Sequence, residues 1–453
     1  LAKPFVTAAR LGQWLERIES RDATIGIIGL GYVGLPLALL FVEDGFRVTG
    51  FDNDLAKVET LNGGRSYIHR IEPEHIAKAQ AAGFRATANF AEAATLDAIL
   101  ICVPTPLYPD HTPDMRAVVA TMDALAPHLV PGQLVVLEST TYPGTTEEIV
   151  AATIERPGRS VLRGDDASAD RELTGVMVAF SPEREDPGNT TTPRRAIPKI
   201  VGGVDAAATA AACALYGAVF ARTIAMSSPA AAEMTKLLEN IYRSVNIALV
   251  NEMKQLCLHM GIDIWEVIAA AATKPFGFQA FQPGPGVGGH CIPVDPFYLS
   301  WKARQFGFET RFIELAGSVN EAMPAYVVRT AEQALAAAGT LLAGASVLVL
   351  GVAYKRDVDD LRESPALTII NLLRAAGADV SYHDPFFPHV GSGRKYDLRM
   401  QSTPVEELGR FDCVLIATDH SCYDFERIVA EARLVVDSRN ATRGLVSSKI
   451  VRC

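Results

Sequence analysis

A β-like run at 23–30 leads into Gly29-Leu30-Gly31-Tyr32-Val33-Gly34. An apolar helical stretch follows at 35–42, and a second β-like run at 47–52 ends in Asp52. Strand, glycine loop, helix and strand in that order build a parallel α/β sheet and leave few other solutions. Three glycines alone are a weak signal, but the strand before them, the helix after them and the acid about 20 residues on make it specific. Gly29 permits the tight turn, Gly31 lets backbone approach a pyrophosphate, and Gly34 lets helix and strand pack closely. The helix N-terminus offers partial positive charge to phosphates. Asp52 can accept from ribose hydroxyls and would repel a 2′-phosphate, so NAD is expected over NADP.

Further strands are expected at 98–103, 134–138, 176–180 and 199–202, and a helix at 11–21 ahead of the first strand. Val103-Pro104-Thr105-Pro106 and Ser139-Thr140-Thr141 fall just after two of these strands, on the edge where ligands of such sheets bind. Each alone also suits an ordinary loop. From Pro229 the pattern changes to one long helix, 229–260, with Pro at its start and Gly261 after its end. Helical sequence continues to about 273, a Gly/Pro-rich loop spans 274–296, and another helix is read at 324–338. Around Ser346 the strand–helix alternation restarts: strands at 346–352, 379–383, 411–417 and 434–437, with a helix at 365–376. The expected fold is α/β: two Rossmann-like, doubly wound parallel-sheet domains joined by a helical middle domain with a long central helix. The boundaries are 1–225, 226–335 and 336–453. The last domain lacks GxGxxG, so it need not bind a dinucleotide.

With 453 residues the chain has room for two or three cores. A net charge of -10 argues against a nucleic-acid partner, which would need Lys and Arg in excess. No apolar run reaches the roughly 18 residues of a membrane span. No signal peptide is read, although the chain opens on Leu1 rather than Met. Seven scattered cysteines without a CxxC pair fit a reducing cytosol better than a disulfide or zinc framework. A cytoplasmic location is therefore expected.

The stretch Gly284-Pro285-Gly286-Val287-Gly288-Gly289-His290-Cys291-Ile292-Pro293-Val294-Asp295-Pro296 carries the most chemistry. So many glycines cost conformational entropy, and such a loop lets backbone approach a ligand. A cysteine thiolate at its end is suited to trap an aldehyde covalently. An isolated Cys is more often a small buried hydrophobe; the loop and Asp295 favour the nucleophile. His290 and Cys291 are adjacent without a second pair, so no metal site is expected. On the long helix, Lys236 and Asn240 lie one turn apart, on a face that also carries Glu233, and can aim at a substrate oxygen; a solvated face is the alternative. Ser181-Pro182-Glu183-Arg184-Glu185-Asp186-Pro187-Gly188 is unusually charged for a strand end, and Glu183 could position water or bind sugar. Lys355 and Arg362, after the strand at 346–352, suit a diphosphate; a surface ion-pair loop competes.

In combination, GLGYVGLP, VPTP, STT with PGT, SPER, KLLEN, GPGVGGHCIPVDP and YKRDVDDLRESP resemble the UDP-glucose/GDP-mannose dehydrogenase family from about residue 25 to 440. The resemblance implies an NAD-dependent, four-electron oxidation of a sugar C6 hydroxymethyl to a carboxylate. It makes Cys291 the nucleophile, Lys236 and Asn240 stabilisers of the reacting oxygen, Asp295 a support for proton transfer, and Thr140 and Glu183 helpers of the water step. It assigns Gly29, Gly31, Tyr32, Val33, Gly34, Asp52, Lys57, Val103, Pro104, Thr105, Ser139 and Thr140 to NAD. Glu183, Arg184, Lys236, Asn240, Gly288, Tyr354, Lys355 and Arg362 fall to the UDP-sugar. Tyr354 stands where many relatives have Phe, and Ser-Thr-Thr-Tyr-Pro-Gly-Thr replaces the commoner STVPVGT. SPEREDPGN resembles the UDP-N-acetylhexosamine members, with UDP-N-acetylglucosamine expected first; UDP-N-acetylmannosamine, UDP-N-acetylgalactosamine and UDP-glucose are the alternatives. A homodimer or higher homo-oligomer and a product bound for surface polysaccharide, such as lipopolysaccharide O-antigen, are also implied. Two rival readings stay open: a two-electron hydroxyacid-type dehydrogenase needing no thiol, and a non-catalytic NAD-binding sensor.

Overall fold

The computed structural model describes residues 10–68, 71–156, 158–184, 192–393 and 396–453. The chain divides into two compact units, Leu1–Leu238 and Glu239–Cys453, and the boundary falls inside the long helix Pro229–Met260.

The first unit is built on an eight-stranded sheet: β1 (Thr24–Ile28), β2 (Arg47–Phe51), β3 (Arg85–Thr87), β4 (Ala98–Ile101), β5 (Leu134–Leu137), β6 (Met177–Phe180), β7 (Lys199–Gly203) and β8 (Thr223–Ala225). Their spatial order is β3-β2-β1-β4-β5-β6-β7-β8. Order reverses between β1 and β4, which opens a crevice at the carboxyl ends of those strands. β1, β4, β5 and β6 are wholly buried. Apolar clusters on both faces explain this: Leu37, Phe41, Leu134 and Ala211 belong to one, Ile99, Met122, Val135 and Ile154 to the other. The helix Leu11–Glu19 buries Leu11, Trp14 and Ile18, the stripe expected from the sequence. Two strands at one edge depart from an all-parallel sheet: β7 runs antiparallel to β6, and β8 runs parallel to β7.

In the second unit, β9 (Ser346–Leu350), β10 (Asp379–His383), β13 (Cys413–Ile416), β14 (Val435–Asp437) and β15 (Ile450–Arg452) form a parallel sheet in the order β10-β9-β13-β14-β15. Its switch point lies between β9 and β13. A separate antiparallel hairpin of β11 (His389–Gly393) and β12 (Tyr396–Gln401) was not expected from the sequence, nor was β15.

Two helices differ from expectation. Asp295 and Pro296 open a helix, Asp295–Gln305, rather than ending a loop; Pro is tolerated there because the first N–H groups of a helix have no internal partner. The helix read as starting at Pro324 runs over Arg311–Ala337 with Pro324 inside it. That proline leaves the Asn320 carbonyl without its helical donor. Gly286 packs there: a Cβ on it would lie 3.4 Å from the Asn320 oxygen and 3.5 Å from Pro324. Among the described residues, no helix is long and apolar enough to cross a membrane.

Candidate active site

The glycine loop of the first unit is shaped by contacts no larger residue could make. Gly29 has φ +89° and donates to the Phe51 carbonyl at 2.8 Å; a Cβ on it would meet the Cys102 carbonyl oxygen at 2.7 Å. A Cβ on Gly34 would lie 2.0 Å from the Gly29 oxygen, while one on Gly31 would meet nothing within 4 Å. The loop is thus closed against the sheet at its ends and open in the middle, where a pyrophosphate needs room. Val33 precedes the first residue of the helix Gly34–Glu43, and Tyr32 is partly exposed beside it. Asp52, buried at the end of β2, accepts from the N–H of Leu30 at 3.0 Å and of Asp54 at 3.0 Å, with Lys57 Nζ 3.4 Å away. Part of its acceptor capacity therefore fixes the glycine loop itself, and Tyr67 donates to the Leu30 carbonyl from the other side.

Loops after β4 and β5 are tied together. Ser139 Oγ donates to the Val103 carbonyl at 2.7 Å, and Thr105 is buried just beyond Pro104. Thr140 is half-buried; the Thr141 hydroxyl is buried with no hydrogen-bond partner among the described residues. An open glycine cradle, an acid at the end of β2 and an unsatisfied hydroxyl on the same edge fit a dinucleotide.

Glu183 lies in a buried charge cluster that sequence reasoning did not find. It accepts from Arg194 at 2.8 Å and lies 3.5 Å from Lys199 Nζ, which donates to Glu138 at 2.6 Å. Tyr216 donates to the other Glu138 oxygen at 2.5 Å. Burial works to raise the Glu183 carboxyl, but Lys199 and Arg194 overcome it and hold the group well below the usual carboxylate range. Arg184 donates to the Pro198 carbonyl at 2.7 Å. Residues 185–188 of this charged motif lie outside the described residues.

The long helix inverts the usual pattern. Glu233, Lys236, Asn240, Ser244, Asn251 and Lys254 are buried, while Leu238, Tyr242, Leu249, Leu256 and Met260 are exposed. Glu233 takes the N–H of Gly144 and, at 2.9 Å, that of Thr146, so it anchors that turn from the same buried face that carries Lys236.

The second unit brings Cys291, Asp295, Asn240, Gly288, Tyr354 and Arg362 into one network. Asn251 accepts from Gly284 N–H at 2.9 Å and so fixes the start of the glycine loop to the long helix. A Cβ on Gly288 would meet Tyr354 Cβ at 2.6 Å, and Gly289, with φ +82°, donates to the Arg362 carbonyl at 2.9 Å. The half-buried Cys291 follows, and its carbonyl accepts from Val294 at 3.1 Å and Asp295 at 2.8 Å. Asn240 donates to the buried Asp295 carboxylate and accepts from Arg243. Arg362 grips Asp360 through two nitrogens, at 2.9 and 2.6 Å. Burial opposes its charge, but Asp360, Tyr354 and Cys291 raise the guanidinium above its ordinary value. Arg362 is thus both ion-paired and electrostatically in touch with Cys291. Lys355 is half-buried in the same strand-end loop, which the buried pair His420 and Asp384 braces: Asp384 accepts from Val352 and Ala353, and His420 Nδ1 accepts from Asp357 N–H at 3.0 Å. All seven cysteines are free, and no cluster of three or more His, Cys, Asp or Glu among the described residues is placed to hold a metal.

Three family models match in succession: the UDP-glucose/GDP-mannose dehydrogenase family NAD binding domain at 23–220, its central domain at 230–322 and its UDP binding domain at 348–444. The chain belongs to the UDP-glucose/GDP-mannose dehydrogenase family. It is an NAD-dependent UDP-sugar dehydrogenase, an oxidoreductase. It is similar to UDP-N-acetyl-D-mannosamine dehydrogenase of Salmonella typhi, 36% identical over 93% of this chain and 99% of that one. NDP-N-acetyl-D-galactosaminuronic acid dehydrogenase of Ralstonia solanacearum is 35% identical, over 95% and 98%. Among solved structures, UDP-D-ManNAc dehydrogenase of Pyrococcus horikoshii superposes with a TM-score of 0.82 at 31% identity, covering 95% of this chain and 98% of that one.

Proposed function

We propose that the chain oxidises the C6 hydroxymethyl of a UDP-N-acetylhexosamine to the carboxylate in two steps, with Cys291 as covalent nucleophile. The observation that carries this is the junction at Cys291: a glycine loop packed on Tyr354 and Arg362 delivers the thiol, and the helix opened by Asp295 begins four residues on.

Residues 1–225 are assigned as the NAD-binding domain, 226–335 as the helical middle and 336–453 as the UDP-sugar domain. NAD, held by Gly29, Gly31, Tyr32, Val33, Gly34, Asp52, Lys57, Val103, Pro104, Thr105, Ser139 and Thr140, supplies the hydride acceptor for both oxidations. The first oxidation leaves C6 as an aldehyde. Cys291 thiolate adds to that carbon, giving a thiohemiacetal whose oxygen is stabilised by the Lys236 ammonium and the Asn240 amide. Loss of a second hydride and a proton gives the thioester. Water adds to its carbonyl, the C–S bond breaks, and the sulfur leaves as thiolate. Asp295 supports the proton transfers. Thr140 and Glu183 orient the water; held as an anion by two cations, Glu183 serves as a hydrogen-bond acceptor and is a poor proton acceptor. Lys355, Arg362, Tyr354, Gly288 and Arg184 are assigned to the UDP-sugar.

The SPEREDPGN segment supports the UDP-N-acetylhexosamine class, and UDP-N-acetylglucosamine is the first reading within it. UDP-N-acetylmannosamine is the second reading, carried by the names of the relatives. Assaying NADH formation with a panel of UDP-sugars and measuring product mass decides between them: a uronate formed fastest from UDP-N-acetylglucosamine supports the first reading, and one formed fastest from its manno epimer supports the second. Only plain UDP-glucose turning over would overturn both. A cytoplasmic reaction whose product feeds surface polysaccharide is part of this reading. The exposed apolar residues of the long helix, Tyr242, Leu249 and Leu256 at heptad spacing, support a second copy of this chain as partner.

A further inference from the structure

We infer that Lys199 is a positioning residue for thioester hydrolysis: its buried ammonium clamps the loop that carries Thr140 to the loop that carries Glu183. The inference rests on the assignment of Glu183 and Thr140 to water handling.

The argument begins with strand direction. β7 is antiparallel to β6, with Ala179 opposite Gly203 and Phe180 opposite Gly202. Extended to the first residue of β7, that register sets Lys199 opposite Glu183. In an all-parallel sheet the same residue would start at the far edge, away from the strand ends where ligands bind. Reversal of β7 therefore brings a lysine to the reactive edge.

There the ammonium bridges two loops. It donates to Glu138 at 2.6 Å, and Glu138 directly precedes Ser139 and Thr140. On the other side it donates to the Pro182 carbonyl at 3.1 Å and reaches Glu183 at 3.5 Å. Lys199 is 2% exposed and Glu138 fully buried, so solvent screens these contacts little. The ammonium also lies over the rings of Tyr216 and Phe220, 5.0 and 5.6 Å from their centroids. Among the described residues of this unit, the charged and titratable groups around Glu183 include Lys199, Arg194, Glu138 and Cys102. Burial, then Glu138, push the Cys102 thiol up, so it stays neutral. Among the described residues two cations face two carboxylates, and Lys199 contacts both carboxylates.

A fastener needed only for stability could be apolar, since a well-packed hydrophobic replacement of a buried ion pair is often at least as stable. A charge at this point also sets the ionisation and direction of Glu183, which a hydrocarbon cannot do.

The test uses the full chain with NAD and UDP-sugar, comparing Lys199→Met with Glu183→Gln. Folding is checked by circular dichroism and melting. For Lys199→Met, kcat should fall roughly 10- to 100-fold, as for a small misplacement of a reacting group. kcat/KM for the UDP-sugar should change far less than kcat, because accumulation of the acyl-enzyme lowers KM together with kcat. The initial NADH burst should persist, and an acyl adduct on Cys291 should accumulate after acid quench. The acid limb of the kcat–pH profile should move to higher pH, because Glu183 loses a cation that holds its carboxyl low. If the single variant does not fold, Lys199→Met with Glu138→Gln removes both charges of the pair and is held to the same readouts. Unchanged turnover, a fall in kcat without the adduct, or an unmoved acid limb overturns the inference. Adduct in Glu183→Gln but not in Lys199→Met sinks the Lys199 inference alone; normal turnover by Glu183→Gln removes the role of Glu183 on which it rests.

Discussion

Asn240 donates its side-chain amide to the carboxylate of Asp295, whose own N–H donates to the Cys291 carbonyl at 2.8 Å. One hydrogen bond thus links the long helix to the start of the helix that follows the nucleophile. Asn240→Ala would leave a 2% exposed carboxylate short of a donor, a loss of about 1–3 kcal/mol. Melting temperature and kcat should both fall. Asn240→Asp should be worse than Ala at pH 8 and recover at pH 5, where one of two facing carboxylates can take a proton. A charge variant insensitive to pH would show that the contact does not govern the site.

Gly288 and Gly289 meet Tyr354 through different atoms. A Cβ on Gly289 would lie 3.0 Å from the Tyr354 ring, but one on Gly288 would lie 2.6 Å from Tyr354 Cβ and 3.0 Å from the Glu363 oxygen. Both Gly288→Ala and Gly289→Ala should raise KM for the UDP-sugar. Tyr354→Ala should partly rescue Gly289→Ala, although φ +82° keeps some strain, and should not rescue Gly288→Ala because alanine retains the clashing Cβ. Equal rescue of both in steady-state kinetics would contradict the packing described.

Cys291→Ser exchanges a strong nucleophile and good leaving group for a weak one. Turnover to the acid should drop roughly 10²–10⁴-fold, the usual range for a positioned catalytic group. The acyl adduct should vanish from the acid-quenched enzyme by mass measurement. Wild-type turnover in that variant would end the assignment.

Much of the chain was legible because its signals are local. Gly29, Gly31 and Gly34 with Asp52, and Pro229 and Gly261 around the long helix, are rules of turn and cap chemistry that need no distant partner. Asp295-Pro296 carried a helix-start signal too, but the glycines before it extended the apparent loop. Pro324 misled because a helix-starting residue can be accommodated inside a helix when a neighbour such as Gly286 packs against the freed carbonyl. The direction of β7 is not written in its five residues, and without it the pairing of Lys199 with Glu138 and Glu183 has no sequence signature. Of the hairpin, β12 does alternate, with Leu398 and Met400 buried in the core, but β11 carries a single apolar residue, Val390, among His, Gly and Ser, so its pairing partner was not legible.

Lys254 carries a stability prediction with a definite sign. Its ammonium has no hydrogen-bond partner among the described residues and lies 5.6 Å from the Tyr326 ring centre. Burial lowers it to about 8 from 10.5. The folded state therefore disfavours the charge, and stability rises as pH climbs from about 8 through 10.5, where both states become neutral. Lys254→Met should raise the melting temperature at pH 7, by a free energy of up to about 3 kcal/mol. The gap should close near pH 10.5. A variant that melts lower at pH 7 would contradict this.

The most direct test counts NADH formed per UDP-N-acetylhexosamine consumed when the sugar is limiting and NAD is in excess. Two NADH per sugar, with the uronate as sole product, is the expected result. One NADH per sugar, with an aldehyde or ketone released, would contradict a covalent four-electron oxidation at Cys291.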